Sequence, residues 1–156
     1  MNMNREILFR GKRIDNGEWI RGSLITDVFY TIKDNESIPY ILNSDMAEYD
    51  CFEDFGEHNG IYEVDKDTIC QYTGLTSKNG KKIFEGDILR HADETILKTV
   101  WNDRKYGFAA QCVKGSVLLK DCKWGLWEFE SDEVEVIGNV FDNPELLKGE
   151  KNGEDI

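Results

Sequence analysis

The sequence predicts a mainly β protein, either an antiparallel small barrel or two packed β-sheets, with a short helical turn near the C-terminus. Short apolar segments rich in β-branched and aromatic residues recur at intervals of about ten residues. Asn-Gly dipeptides occur four times, and an Asn-Pro pair at 143–144 precedes the last apolar residues. Short, regularly spaced strands separated by turn residues are typical of antiparallel barrels and sandwiches.

The first predicted element is a β-hairpin around Asn16-Gly17, with strands over 6–10 and 19–25. Asn-Gly suits the positive φ angles of a type I′ turn, so it is a strong hairpin signal between apolar segments. Residues 28–32 and 38–42 predict a second hairpin. Because Pro39 has no N–H to donate, its strand is expected to lie at a sheet edge or to begin there.

An acidic segment follows over residues 43–60, and its pattern leaves a short amphipathic helix or an ordered loop open. Its apolar residues recur at a spacing of three: Met46, Tyr49, Phe52 and Phe55.

The second half predicts more short strands. They are expected within 61–64, 68–72, 83–90, 96–101, 107–113, 117–119, 127–129 and 134–141. Asn143 as N-cap and Pro144 at the first helical position predict one terminal helical turn. We expect a single β domain over 1–148, with a division into subdomains 1–60 and 61–148 left open, and a polar tail over 149–156.

Three stretches in this order resemble the YopX family of phage and prophage proteins. They are Arg5–Arg13 with Trp19, the segment from Gln71 to Ile88 with its Thr-Gly-Leu and Glu-Gly-Asp motifs, and Val136–Leu147. The resemblance implies a mainly β fold and a phage or prophage origin. It carries over no catalytic residue, and it fades between residues 42 and 67.

The formal net charge of −12 is unevenly distributed along the 156 residues. Residues 34–67 carry −10 and 124–156 carry −8, whereas 1–33 carry +2 and 68–123 carry +4. Nucleic-acid binders normally present a basic face, because phosphate neutralisation supplies most of their non-specific affinity. The total charge argues against that role for the whole chain, although 68–123 could still serve it.

Catalytic and metal-binding signatures are missing from the sequence. The four cysteines form no Cys-x-x-Cys pair, which favours reduced and mostly buried thiols. The segment 74–82 is one residue too long for a phosphate loop and is better interpreted as a hairpin turn. Two carboxylate groupings, around His91 with Asp93 and Glu94 and in the set Asp45, Asp50, Glu53, Asp54 and Glu57, are better interpreted as solvated surface. We expect no catalytic residue, metal or cofactor.

The remaining candidate is a basic and aromatic surface within residues 72–105, because small β-barrels bind single strands by stacking bases on aromatics over a basic groove. Its members are Tyr72, Lys78, Lys81, Lys82, Phe84, Lys98, Arg104 and Lys105. We expect the tryptophans at 101, 124 and 127 to fill the core instead.

The sequence favours a non-enzymatic phage accessory protein that binds an unknown protein or itself as a homo-oligomer. A nucleic-acid-binding module using 72–105 and an acidic imitation of DNA that occupies a host protein are the alternatives. No apolar run approaches the roughly 20 residues that span a bilayer, so we expect no membrane contact and a location in the bacterial cytoplasm.

Overall fold

A computed structural model describes residues 5–26, 37–47, 59–115 and 122–148. In these ranges the chain is mainly β, as predicted, and its only helical segments are 3₁₀ turns at Lys66–Thr68, Leu126–Glu128 and Pro144–Leu147. The strands are β1 Phe9–Lys12, β2 Trp19–Ile25, β3 Tyr40–Ala47, β4 Asn59–Glu63, β5 Cys70–Thr76, β6 Lys82–Phe84, β7 Asp87–His91, β8 Ile96–Asn102, β9 Gly107–Lys114, β10 Lys123–Gly125 and β11 Val134–Asn139.

Two compact units divide the chain, residues 1–72 and 73–156. The described strands form two antiparallel β-sheets, and neither closes into a barrel. Of the two predicted architectures, the two β-sheets are therefore confirmed and the closed small barrel is wrong. The predicted domain boundaries stay a prediction.

In the first unit the strand order is β4-β3-β2-β1, followed by the start of β5, whose Cys70 and Gln71 pair with β1. The predicted hairpin joins β1 to β2: Gly17 has φ +72° and its N–H donates to the Arg13 carbonyl at 2.9 Å. Asn16 Oδ1 accepts the Glu18 N–H at 2.9 Å. A turn at Asn16-Gly17 is thus confirmed, but it is not the type I′ turn that the pair suggested, because only Gly17 has positive φ. Its first strand begins three residues later than predicted.

Strand β3 begins directly after Pro39, which satisfies the expectation that a proline strand begins there. It pairs with β2 on one side and β4 on the other, so it is an inner strand. Its predicted hairpin partner, 28–32, lies outside the described residues, as does most of the acidic segment 43–60. Among the described residues of this unit, Ile20, Ile41 and Val64 form a buried hydrophobic cluster.

In the second unit a five-stranded sheet has the order β10-β9-β8-β7-β11. The segment 74–82 forms a turn before β6, as predicted, in which Ser77 N–H donates to the Lys81 carbonyl at 2.8 Å. One face of the sheet carries Leu89, Leu97, Phe108, Ala110, Cys112 and Val134, which form a buried core with Ile83 and Leu126.

The terminal turn at Pro144–Leu147 confirms the predicted helical turn, in 3₁₀ form. Asn143 occupies the N-cap position but makes no side-chain cap bond to the turn. Its Oδ1 instead accepts the Asn139 N–H at 3.3 Å, because it lies against Gly138, where a Cβ would come within 2.5 Å of that oxygen. The predicted strand 117–119 and tail 149–156 lie outside the described residues.

No helical segment in the described ranges has the length and apolar character needed to cross a bilayer. The expected cytoplasmic location stays a prediction.

Cys70 and Cys112 are buried thiols, as expected, whereas the Cys122 thiol is exposed.

Candidate functional site

Three large aromatic side chains are exposed around the turn that joins β8 to β9. Tyr106 is 84% exposed, Trp127 64% and Trp101 43%. In the described part of the chain only two other large apolar residues, Ile7 and Ile14, are as exposed. The prediction that the tryptophans fill the core is therefore wrong for Trp101 and Trp127.

Trp127 is held outside the core by two glycines of neighbouring strands. A Cβ built on Gly125 would lie 2.3 Å from the Trp127 ring, and one on Gly107 would lie 3.3 Å from it. The indole therefore rests on bare backbone at the ends of β9 and β10. It covers the sheet face opposite the core, because Gly107 and Gly125 alternate with core residues along their strands.

Trp101 lies at the other face of the same strand ends. Its ring meets buried Phe108 edge to face, with centroids 5.2 Å apart and planes at 79°. This contact anchors one side of the indole and leaves the rest of it open to solvent.

Tyr106 occupies a strained place in the turn between the two strands. Its φ is +51°, a left-handed conformation that costs a residue with a Cβ roughly 1–2 kcal/mol. Asn102 organises the turn, accepting the Arg104 N–H on Oδ1 at 3.1 Å and the Lys105 N–H on its carbonyl at 3.2 Å. Little burial of Tyr106 offsets this strain, because its side chain is 84% exposed.

We call Trp101, Arg104, Lys105, Tyr106 and Trp127 the hairpin-end surface. Two of the predicted site residues, Arg104 and Lys105, are exposed within it. The aromatics that accompany them were assigned to the core from sequence. The signal that could have exposed the error is the pair of glycines at 107 and 125, which provide flat backbone on which a ring can lie.

The predicted aromatics, Tyr72 and Phe84, do not join this surface. Tyr72 is 6% exposed in the first unit, and Phe84 is 0% exposed in the second. Neither ring offers a face on which a base could stack. Tyr72 and Phe84 therefore cannot form the predicted surface for base stacking, because both side chains belong to strand positions that point inward.

Lys78 and Lys81 lie near Glu135 of β11. Lys78 Nζ is 3.8 Å from Glu135 Oε2, and Arg90 Nη2 donates to the same oxygen at 2.8 Å. That hydrogen bond, and then the charges of Arg90, Lys78 and Lys81, lower the pKa of Glu135 below its ordinary value. These lysines therefore share a carboxylate, which reduces the local positive charge they present.

Strand register brings two further cations together on the face opposite the core. Lys98 pairs with Gln111, and Gln111 pairs with Lys123. Directly paired residues lie on the same face of a sheet. We call this row of Lys98 and Lys123 the basic face; Arg90 lies on the same face but is bonded to Glu135. Only Lys98 among them was predicted as a site residue; Lys82 lies apart on β6, half-buried.

A cavity of about 280 Å³ opens beside the turn from β7 to β8. It is lined chiefly by His91, Asp93, Trp124, Glu128, Phe129 and Glu133. His91 Nδ1 lies 2.8 Å from Asp93 Oδ1, so this part of the suspected His91 cluster does come together. Hydrogen bonds from the Thr95 side chain, then from His91 and the Thr95 N–H, lower the pKa of Asp93 to about 2.

No group of three or more His, Cys, Asp or Glu side chains suited to a metal ion occurs among the described residues. The carboxylates at 50, 53, 54 and 57 lie outside them, and the side chain of Asp45 is not described either.

Comparison with known proteins identifies the family of the chain. A family model described as YopX protein matches residues 8–148. Among solved structures, the crystal structure of protein EF1440 from Enterococcus faecalis is 24% identical, with an alignment that covers 92% of this chain and 99% of that one at a TM-score of 0.48. Comparison with curated proteins found no match. Because the family model spans most of the sequence, the chain belongs to the YopX family.

Proposed function

We propose that the protein is a non-enzymatic accessory protein of a phage or prophage that acts by binding another protein through the hairpin-end surface. The observation that carries this proposal is the exposure of Trp101, Tyr106 and Trp127 around one turn. Tryptophan, tyrosine and arginine are the residues that dominate binding energy at protein interfaces.

The composition of the surface indicates the chemistry of the partner. Arg104 and Lys105 are exposed in the turn and put two positive charges beside Tyr106, against one negative charge from Asp103. Tyr106 and Trp127 would be buried at the centre of an interface and the cations would lie at its rim, whereas Trp101 lies on the other face of the sheet. A partner with an apolar patch bordered by carboxylates complements this arrangement.

Two purified variants test the proposal. Tyr106→Ala removes an 84% exposed ring and Trp127→Ala a 64% exposed ring, so both are expected to fold and to lose the bound partner in affinity purification from a bacterial host extract. Ile14→Ala removes a 58% exposed apolar side chain of the first unit and serves as the matched control. Equal recovery of the same partner by all three variants would contradict the proposal.

Self-association is the alternative, in which a second copy of the chain binds the same surface. Light scattering of the wild-type chain across protein concentration distinguishes the two. A dimer that dissociates in Trp127→Ala and persists in Ile14→Ala would identify the partner as a second copy.

Nucleic-acid binding is a second candidate, supported by the strand register that collects the basic face. Lys98 and Lys123 lie in one row across β8, β9 and β10, on the face that Trp127 covers at its end. A basic surface with an exposed aromatic ring suits a single strand. The acidic-imitation alternative depends on residues 34–67, whose acidic residues lie mostly outside the described ranges, and it stays a prediction.

Fluorescence anisotropy with a labelled single-stranded oligonucleotide at low salt tests this candidate. The basic face predicts weaker binding by Lys98→Glu with Lys123→Glu and unchanged binding by Lys81→Glu with Lys82→Glu. The opposite ranking would favour the lysines near Glu135, and undetectable binding by the wild type would eliminate the candidate.

A further inference from the structure

The cavity beside the β7–β8 turn combines aromatic walls with a negative rim. Trp124 and Phe129 are half-buried along it, and the His91 ring meets Phe129 edge to face at 5.8 Å. Asp93, Glu128 and Glu133 contribute carboxylates, and none of the described residues that line the cavity is a lysine or arginine. The cavity shares no residue with the hairpin-end surface, so a ligand bound in it would leave the proposed protein-binding surface open.

We propose that this cavity binds an organic cation, a primary ammonium or guanidinium group carried on a short aliphatic stem. The stem would pack between Trp124 and Phe129 above Leu97, which lies in the floor of the cavity. The cationic head would meet the carboxylates at the rim. A positive group near aromatic faces gains cation–π attraction in addition to its ion pairs.

The carboxylates are held in place and still have acceptor capacity. Thr95 N–H donates to Asp93 Oδ1 at 3.0 Å, Gly125 N–H to Glu128 Oε1 at 3.1 Å and Glu130 N–H to Glu133 Oε2 at 2.8 Å. An ionised carboxylate has two oxygens and about four acceptor sites. The backbone bonds therefore orient Glu128 and Glu133 while leaving sites for the donors of an ammonium or guanidinium group. Asp93 also accepts bonds from His91 and the Thr95 hydroxyl, so it contributes mainly its charge.

The size of the cavity limits the ligand. About 280 Å³ lies just below the range of about 300–1,000 Å³ typical of sites for drug-sized ligands. One amino-acid side chain or one small amine is the scale of occupant that such a volume accepts. The source of the cation is then either a basic side chain of a protein or a free aliphatic amine.

NMR titration with three probes separates these sources. N-acetyl-lysine methylamide represents the protein side chain, putrescine represents the free amine, and N-acetyl-norleucine methylamide is a neutral probe with a stem of similar length. We expect saturable shifts of the Trp124 indole N–H and the Phe129 amide with at least one amine, and none with the neutral probe. Preference for the lysine probe identifies a protein side chain, and preference for putrescine identifies a free amine.

Charge-neutral variants then test the rim. Glu128→Gln and Glu133→Gln each keep an oxygen that can accept the same backbone N–H, and each is expected to weaken amine binding by about threefold, the scale of one partly exposed ion pair. Glu94→Gln removes an exposed carboxylate on the same turn that does not line the cavity, and it should leave binding unchanged. Equal binding of the neutral probe, no shift with either amine at millimolar concentration, or equal effects of all three variants would overturn the proposal.

Discussion

Replacing Gly125 by alanine should displace Trp127 without unfolding the protein. The added Cβ would lie 2.3 Å from the ring, whereas ordinary van der Waals contact begins near 3.4 Å, so the indole must retreat by about 1 Å or more. Gly125 has φ −58° and ψ 134°, a backbone conformation that alanine adopts without strain. The substitution therefore acts on the ring and not on the strand.

The expected change in the free energy of unfolding is small. Alanine at a compatible glycine position stabilises a protein by about 0.4–1 kcal/mol through the unfolded state. The weaker packing of the displaced ring, which is already 64% exposed, should offset this by about 1 kcal/mol. Urea unfolding should therefore show a net change within about 1 kcal/mol, while the Trp127 indole N–H signal moves in the NMR spectrum.

Two further glycines provide graded controls. Gly107→Ala brings a Cβ only to 3.3 Å from the ring and should shift the indole signal less. In Gly74→Ala the added Cβ has no described atom within 4 Å, but the alanine must adopt φ +90°. This variant should therefore lower the free energy of unfolding by about 1 kcal/mol and leave the Trp127 indole signal unchanged. A loss above about 2 kcal/mol for Gly125→Ala, or an unshifted indole, would refute the view that Trp127 is a surface ring resting on the two glycines.

Three further predictions concern the second unit. The hydroxyl of Thr99 is buried and has no hydrogen-bond partner among the described residues, so Thr99→Val should stabilise the protein by about 1 kcal/mol in urea unfolding; destabilisation would contradict this. Asp87 Oδ2 accepts the buried Phe84 N–H at 2.8 Å, so Asp87→Ala should cost about 1–3 kcal/mol in thermal unfolding and Asp87→Asn, which keeps an acceptor, clearly less. Asp93 should titrate near pH 2 by NMR, against an ordinary value of 3.8. Because its pKa is lowered on folding, its contribution to stability is present above pH 3.8 and is lost as the pH falls through 2; a midpoint at the ordinary value would show that the bonds from Thr95 and His91 do not form in solution.

Local signals in the sequence predicted the elements whose geometry is set within a few residues. Asn16-Gly17 made the first hairpin predictable, because the positive φ of Gly17 is a property of the glycine itself, although the expected positive φ at Asn16 does not occur. Pro144 likewise marked the terminal turn, although the bond expected from Asn143 went to Asn139 once Gly138 brought the two segments close.

The exposure of Trp127 could not be predicted in this way, because it depends on where β9 and β10 place Gly107 and Gly125. The burial of Phe84 likewise depends on packing that its neighbours in the sequence do not reveal. The basic face was missed for a related reason: Lys98 and Lys123 are far apart in the chain and meet only through strand register.

Photo-crosslinking from position 106 tests the central claim most directly. A benzophenone amino acid replacing Tyr106 should give a defined crosslinked product in a bacterial host extract, and that product should disappear when Trp127→Ala is added. The same label at Ile14, an exposed residue of the first unit, should not give it. A product that forms equally from both positions, or that survives Trp127→Ala, would contradict the assignment of the hairpin-end surface as the site of protein binding.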